Sequence, residues 1–210
     1  MLAKLKTFLL LGIEALPVEV DVSPGALPKT VLVGLPKAAV KESTHWVERA
    51  IVNLAPAELP KQASSFDLPI SLGMLAGSGP LQSELFDRYA SVGELALEGN
   101  TRPVKGALSM AIAAAKQEGL RGLVVSSESA AEAAVVENIE VIPVASLAQA
   151  IGFFTGTLEI EPTPSRLEEL FETFSTYEED FLDVRGQEMA KRAITIAAAE
   201  AHNLLTLWMV

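Results

Sequence analysis

The sequence predicts an α/β protein in which helices cover a mixed sheet. Strands open the chain, because Val18-Glu-Val-Asp-Val22 alternates apolar and acidic side chains. Strand and helix patterns then alternate from residue 122 to residue 153, which predicts parallel strands joined by right-handed crossovers. Half of the 210 residues are apolar, so the chain can bury one good core, or one domain and a fragment of a second.

The first segments are predicted strands followed by a helix. Residues 3–13 and 16–23 are predicted strands, and residues 29–33 form a short third strand. Apolar side chains at helical spacing predict that residues 37–53 form the first covering helix. This helix passes into Leu54-Ala-Pro56 without a turn signal. That is unusual, because a helix normally ends with glycine or asparagine and a few loop residues.

The stretch 54–79 centres on a polar elbow at residues 62–65, which leads into a predicted helix over residues 68–77. An elbow of this kind can present a hydroxyl nucleophile, or it can cap a helix. Asp67 suits the N-cap or the first turn, where a negative charge is stabilised. The glycines of residues 73–79 are too irregular for a nucleotide loop and predict the end of the helix instead.

Shorter elements are predicted for the rest of the chain. They are a helical stretch (81–89), strand (90–97), hairpin turn (98–100), return strand (101–104), helix (105–118), strand (122–125), helix (128–135), strand (139–142) and helix (146–153). Residues 155–180 are rich in Pro, Ser, Thr and acids, which predicts a solvated linker. A helix over 188–201 and the start of a buried strand over 204–210 follow.

Composition narrows the classes of function. The net charge of −11 argues against tight DNA binding by this segment alone, since such a surface needs clustered Lys and Arg. The absence of cysteine excludes disulfides and thiolate chemistry. His45 and His202 have no partners at metal-ligand spacing, so no metal site is expected. No apolar stretch approaches the length of a membrane span, and a cytoplasmic protein without a membrane partner is expected.

A series of ordered stretches resembles the ComM/YifB family, the Mg-chelatase-like AAA+ ATPases. The stretches are Val20-Asp-Val-Ser-Pro-Gly25, Val31-Leu-Val-Gly-Leu-Pro36, Val40-Lys-Glu-Ser-Thr44, Asn53-Leu-Ala-Pro-Ala57, Leu59-Pro-Lys61, Ala63-Ser-Ser-Phe-Asp-Leu-Pro69, Gly93-Glu-Leu95, Arg102-Pro-Val104, Asp183-Val-Arg-Gly-Gln187 and Ala190-Lys-Arg-Ala193. They cover essentially the whole chain, so the resemblance is specific.

The resemblance implies a domain layout. Residues 1–154 would form a domain like the Lon proteolytic domain, residues 155–180 an acidic linker, and residues 181–210 the start of an AAA+ module. Val184, Gly186 and Gln187 would lie on the adenine side of that module. Full-length relatives are hexameric motors that use ATP and Mg²⁺ and are associated with DNA branch migration in natural transformation.

The resemblance also implies what this chain lacks. The family continues from Asn-Leu-Leu into a phosphate-binding loop, whereas no G-x-x-x-x-G-K-[ST] pattern occurs here, so neither ATP hydrolysis nor a cofactor is expected of this chain. About a dozen residues with one strand would be missing before Asn53, a loss comparable with the marginal stability of a domain. Trp46 stands where relatives carry a basic residue.

The same resemblance bears on the elbow, because the Lon proteolytic domain uses a Ser-Lys dyad. When the two sequences are aligned, the nucleophilic serine of the Lon domain corresponds to Ser65. Its lysine corresponds to a position near Leu108, and Lys105 is the nearest lysine in this sequence. The flanking glycines of that elbow are replaced by Ala63 and Asp67. A serine without a base is a poor nucleophile, which favours the alternative that Ser64, Ser65 and Asp67 cap the helix.

Three hypotheses follow from the sequence. In the first, the chain is the non-catalytic scaffold or substrate-engaging domain of a ComM-like ATPase, meeting DNA only through the motor. In the second, it keeps a Ser-dependent hydrolase site at Ser65. In the third, it is a regulatory subunit whose strand at 204–210 docks on a full-length homologue. A second copy of the chain is the other partner expected.

Overall fold

The computed structural model of this protein describes residues 2–24, 31–33, 50–56, 64–165, 167, 180–200 and 202–205. The chain divides into two compact units, residues 1–166 and 167–210. The described residues combine helices with mixed sheets, which confirms the predicted α/β class. The domain borders after residues 154 and 180 stay predictions.

A largely antiparallel sheet opens the larger unit. β1 (Ala3–Leu11) and β2 (Glu14–Pro24) form a hairpin, and β4 (Ala50–Ala55) lies antiparallel to β2. β3 (Val31–Val33) lies parallel to β4, so the strand order is β1-β2-β4-β3. The three strands predicted at the start of the chain are confirmed.

β4 shows that the predicted helix over 37–53 is wrong at its C-terminal end. Val52 and Leu54 are buried and alternate with the half-buried Ile51 and Asn53, which is the period of a strand with one face in a core. Asn53 therefore lies within a strand that begins at Ala50, whereas we expected a strand to be missing before Asn53. Residues 34–49, with His45 and Trp46, lie outside the described residues, and the shortening of the chain stays a prediction.

The elbow leads directly into the first helix of the described chain. A 3₁₀ turn (Ser64–Phe66) precedes α1 (Asp67–Ser78), which confirms the helix predicted over 68–77. Gly79 ends α1 with a φ of 104°, and its N–H donates to the Ala76 carbonyl. Only glycine adopts this conformation without strain, so the glycine cluster ends a helix as predicted.

Two glycines allow α1 to pack closely on the first sheet. A Cβ added to Gly73 would lie 2.8 Å from Val22 Cγ2 and 3.1 Å from Leu5 Cδ1. A Cβ added to Gly77 would lie 3.1 Å from the Val22 carbonyl oxygen. The helix backbone therefore rests directly on the side chains of β1 and β2.

Short elements connect α1 to the second half of the unit. They are a 3₁₀ turn (Glu84–Asp87), β5 (Tyr89–Ser91), β6 (Glu94–Leu95) and β7 (Thr101–Arg102). β6 and β7 pair as the predicted hairpin. The single strand predicted over 90–97 is wrong, because Gly93 leaves the sheet ladder and bonds to the elbow instead.

A parallel sheet forms the second half of the unit. β8 (Gly122–Ser126) lies between β5 and β9 (Glu140–Val144), parallel to both. The helices that accompany it are α2 (Ala107–Lys116), α3 (Ala130–Ala133) and α4 (Leu147–Thr155). Every residue of β8 is buried, as in a strand with helices on both faces. The alternation of strands and helices predicted for residues 122–153 is confirmed.

Two apolar clusters lie on opposite faces of these sheets. In β8, Val124 belongs to the cluster that contains α1 and α4, whereas Leu123 and Val125 belong to the cluster that contains α2 and α3. β1 divides in the same way, with Leu5 in the first cluster and Phe8 in the second. Alternation along the strands thus fills two cores in one unit.

The smaller unit is described around one helix. α5 (Glu188–Ala199) confirms the helix predicted there, and none of its residues is buried within the described part of the chain. Leu204 and Leu205 are exposed and are not in a strand, so the strand predicted over 204–210 is wrong at its start. Residues 206–210 lie outside the described residues.

Close packing of α1 gives a first prediction. Replacing Gly73 by valine should lower the free energy of unfolding by about 2 kcal/mol, because Val22 and Leu5 must move to make room. Urea denaturation followed by circular dichroism measures the change. Ser71→Val, on the half-buried side of the same helix, is the control and should change stability by less than about 1 kcal/mol. Equal stability of the Gly73 variant and the wild type would contradict close packing.

Candidate functional site

The elbow is held by hydrogen bonds to the segment between β5 and β6. The Gly93 N–H donates to the Ser65 carbonyl at 3.0 Å, and the Leu68 N–H donates to the Gly93 carbonyl at 2.9 Å. A third bond joins the same two segments, because the Leu95 N–H donates to Asp67 Oδ2 at 3.3 Å. A Cβ on Gly93 would lie 3.2 Å from the Leu68 side chain. Backbone hydrogen bonds therefore hold the turn, and a side chain at position 93 would have to displace Leu68.

Ser65 is enclosed by this arrangement. Only 3% of the residue is exposed, and its hydroxyl has no hydrogen-bond partner among the described residues. A nucleophilic serine needs a base within hydrogen-bond reach and a path by which substrate reaches it. The described surroundings of Ser65 provide neither.

The lysine positions of the expected dyad do not supply a base. Leu108 stands at the beginning of α2, where its N–H donates to Glu132 Oε1 at 3.0 Å. Lys105 is exposed, and no described hydrogen bond joins it to Ser65. Lys61 and Ala63 lie outside the described residues. Ser65 as a nucleophile therefore stays a prediction without a described partner.

The predicted cap of Ser64, Ser65 and Asp67 is wrong, whereas the alternative place predicted for Asp67, in the first turn of the helix, is confirmed. The residue in the N-cap position of α1 is Phe66, which has no side-chain acceptor for the free N–H groups. Asp67 instead lies in the first turn of α1, where the helix dipole stabilises its negative charge. Its carboxylate accepts a hydrogen bond from the Leu95 N–H. The Ser65 carbonyl and the Asp67 carboxylate thus hold the neighbouring segment, and no side chain of the elbow caps the helix.

The β6–β7 hairpin is hydrogen-bonded to the carboxyl end of β9. The Thr101 N–H donates to the Ala145 carbonyl at 3.0 Å, and its hydroxyl donates to the Val144 carbonyl at 2.6 Å. The Leu147 N–H donates to the Gly99 carbonyl at 2.8 Å. Open α/β sheets bind ligands in a crevice at this edge. Here the hairpin bonds to the carbonyl groups at the end of β9.

The amino ends of the same strands carry a polar network. The Tyr89 hydroxyl donates to Glu140 Oε2 at 2.6 Å, and Arg121 Nε donates to Glu140 Oε1 at 2.9 Å. A Cβ on Gly122 would lie 2.7 Å from the Glu140 carbonyl oxygen and would collide with the Tyr89 ring. The network therefore joins the starts of β5, β8 and β9 around a position that only glycine can occupy.

These contacts shift the ionisation of the network. Burial, together with the hydrogen bond to Glu140, raises the pKa of Tyr89 to about 12. The Tyr89 hydrogen bond, helped by the Arg121 guanidinium, lowers the pKa of Glu140 although partial burial opposes this. No local pattern marks these three residues as a group, because each stands alone beside the start of a strand. The signal that could have found them is the register of the parallel strands, which brings Gly122 opposite both Tyr89 and Glu140.

The residues expected near an adenine are in the smaller unit. Val184, Gly186 and Gln187 are all exposed, with 41% of Val184 accessible. Gly186 and Gln187 have positive φ values of 69° and 54° and precede α5. Exposed residues do not enclose an adenine ring by themselves, so this assignment stays a prediction.

Two further features bear on the class of protein. No group of three or more His, Cys, Asp or Glu side chains among the described residues is arranged to hold a metal ion. Within the same residues, every helix is too short or too polar to cross a membrane.

Comparison with known proteins gives consistent matches. A family model described as the ChlI subunit of Mg-chelatase matches residues 18–129. The chain is 37% identical to competence protein ComM of Haemophilus influenzae, over 94% of this chain and 41% of that protein. It is 38% identical to the uncharacterized protein YifB of Escherichia coli, over 94% of this chain and 40% of that protein. The chain thus spans about two fifths of the length of these relatives.

Burial of an unpartnered hydroxyl gives a second prediction. Ser65→Ala should raise the free energy of unfolding by about 0.5–1 kcal/mol, because it removes a polar group that lacks a described partner. Ser126→Ala is the matched control, since that buried hydroxyl bonds to the Ser129 side chain and N–H. The control should lose about 1 kcal/mol. Equal losses in the two variants, measured by urea denaturation, would show that Ser65 has a partner.

The Glu140 network gives a third prediction, on pH. A carboxylate whose folded-state pKa is depressed contributes stability above its ordinary pKa of 4.5 and loses it as the pH falls through the folded-state value. Glu140→Gln should therefore cost about 1 kcal/mol at neutral pH and much less near pH 3. Glu137→Gln, at an exposed loop position, is the control, and its stability relative to the wild type should not depend on pH. A pH-independent difference for Glu140→Gln would contradict the network.

Proposed function

Because the chain belongs to the family of the ChlI subunit of Mg-chelatase, as a ComM-like member, we propose that it acts as a non-catalytic scaffold. In this role the larger unit engages substrate or neighbouring subunits for a ComM-like ATPase. In this role the larger unit takes part in assembly and does not hydrolyse ATP.

The burial of Ser65 is the observation that carries this proposal. A hydrolase of the Ser-Lys type needs a hydroxyl, a base and an open path in one place. Ser65 is buried, and no base faces it among the described residues. Two backbone bonds to Gly93 hold the turn in this conformation. The elbow therefore supports a structural role.

The closed ends of the parallel sheet support the same role. Thr101 bonds to Val144 and Ala145 at the carboxyl edge, and the Glu140 network joins the strands at the amino edge. Substrate crevices in α/β proteins depend on an open carboxyl edge. These groups are used for internal bonds, which favours a structural role over the binding of a small substrate at these edges.

The wider role is proposed from the relatives. The Haemophilus influenzae relative is named a competence protein, and the role we propose is DNA branch migration during natural transformation. The partners proposed are further copies of the chain, in a hexamer, or a full-length homologue. ATP and Mg²⁺ would be bound by the part of such proteins that the chain does not span, with residues 184–187 beside the adenine.

A chimera tests the proposal. The segment of Haemophilus influenzae ComM that aligns with this chain is replaced by the chain itself, and transformation frequency is measured. We expect transformation to be retained, because the scaffold role requires the fold of the larger unit and its surface. The Gly73→Val chimera, which weakens α1 packing, should lower transformation toward that of a strain without ComM.

The Ser65→Ala chimera separates the scaffold from a hydrolase. We expect it to transform as well as the parent chimera, and the purified chain should not cleave an unfolded protein substrate. Loss of transformation in the Ser65→Ala chimera, with stability unchanged, would contradict the proposal and favour a hydrolase. Failure of a folded parent chimera would contradict the scaffold role itself.

A further inference from the structure

β9 ends the strand order β5-β8-β9 of the parallel sheet, so one of its edges faces away from β8. The Glu140 N–H donates to the Arg121 carbonyl at 3.1 Å, just before the start of β8. Backbone groups point alternately to the two sides of a strand. The even-numbered residues of β9 therefore bond toward β8, and the odd-numbered residues point their backbone groups outward. An outward edge of this kind is a template for pairing with another chain unless it is covered.

Each outward position of β9 already has a bond or lacks an N–H group. The Val141 carbonyl accepts from the Thr163 N–H at 2.8 Å. Pro143 has no N–H, and proline at an edge hinders strand pairing. Directly after β9, the Ala145 N–H donates to Gln149 Oε1 at 2.8 Å. Of these three features, the bond at Val141 depends on a segment that follows the last helix of the unit.

That segment comprises residues 157–165, which we call the strap. The chain turns back after α4 at Gly156, where φ is 70°. The Leu158 N–H then donates to the Gly152 carbonyl at 3.0 Å, and a Cβ on Gly152 would lie 2.8 Å from the Leu158 Cβ. Glycine at position 152 thus lets the strap lie closely on α4. Ile160 packs on the apolar cluster that contains α1 and α4, which anchors the strap before it reaches β9.

Prolines on both sides of Thr163 suit the strap to covering an edge. Pro162 and Pro164 have no N–H, so Thr163 supplies the only backbone donor of this tripeptide. That donor is used in the bond to Val141. The strap therefore closes part of the β9 edge and presents almost no donors of its own to a further strand.

We propose that the strap is a cover that keeps β9 from pairing with β9 of a second copy of this chain. With the strap in place, Thr163 occupies the position that a partner strand would take beside Val141. With the strap displaced, the N–H and the carbonyl of Val141 face outward together, and two such edges can pair antiparallel about a two-fold axis. The strap thus confines association between copies to other surfaces of the unit. This inference does not depend on the proposed scaffold role.

Variants of the strap test the proposal in the whole chain. Thr163→Pro removes the N–H that bonds to Val141, and Ile160→Ser removes the apolar anchor. In the double variant, hydrogen exchange within the strap should be at least about tenfold faster than in the wild type. Sedimentation velocity between about 5 and 200 μM should show association beyond that of the wild type, rising with concentration. The Val141 amide should exchange more slowly in the associated form, because pairing gives it an acceptor.

The matched control is Thr163→Ala with Ile160→Val, which keeps the N–H and the apolar anchor and should behave as the wild type does. Thr163→Pro alone leaves the apolar core unchanged and should show the same effects more weakly. Circular dichroism shows that each variant is folded.

Three results would overturn the proposal. One is a folded double variant whose strap exchanges faster but whose size stays that of the wild type at every concentration. Another is association without slower exchange at Val141, which would place the contact on a different surface. The third is strap exchange equal to that of the wild type, since the strap would then be held by other contacts.

Discussion

The close approach of α1 to the first sheet is the contact on which the larger unit depends. Gly73 and Gly77 bring the helix backbone onto Val22, and the same helix begins at the elbow. Because helix length and rise are fixed, the position of α1 on the sheet also sets the position of Ser65 and of the bonds to Gly93. Packing of the helix on the sheet therefore fixes the position of the turn that precedes it.

Polar groups at both ends of the parallel sheet are used for internal bonds. The β6–β7 hairpin bonds to the carboxyl edge, and Tyr89 and Arg121 both bond to Glu140 at the amino edge. A group that already has a partner in the fold offers less to a ligand, since binding would have to replace an existing bond. These polar groups therefore contribute to the stability of the sheet.

Sequence patterns predicted most of the larger unit, because burial follows a regular period there. β8 and β9 were predicted to within two residues at each end. The prediction failed at β4, where Ala50 and Ile51 also fit a helical period and the alternation of Val52 and Leu54 was too short to compete. The bonds between the elbow and Gly93 and the Glu140 network could not be predicted, because both depend on residues far apart in the sequence.

Ser65 shows how a position can resemble an active site without the chemistry. Its alignment with a nucleophile rests on local sequence, whereas nucleophilicity depends on a base and on access. To expose Ser65, the turn would have to break both backbone bonds to Gly93 and uncover Phe66 and Leu68, which are fully buried. Each lost buried bond costs about 1–3 kcal/mol when its groups stay unpaired, against a total stability of about 5–15 kcal/mol for a typical domain. Opening would therefore take up much of that stability, which makes the closed, structural state of the elbow the one that the fold maintains.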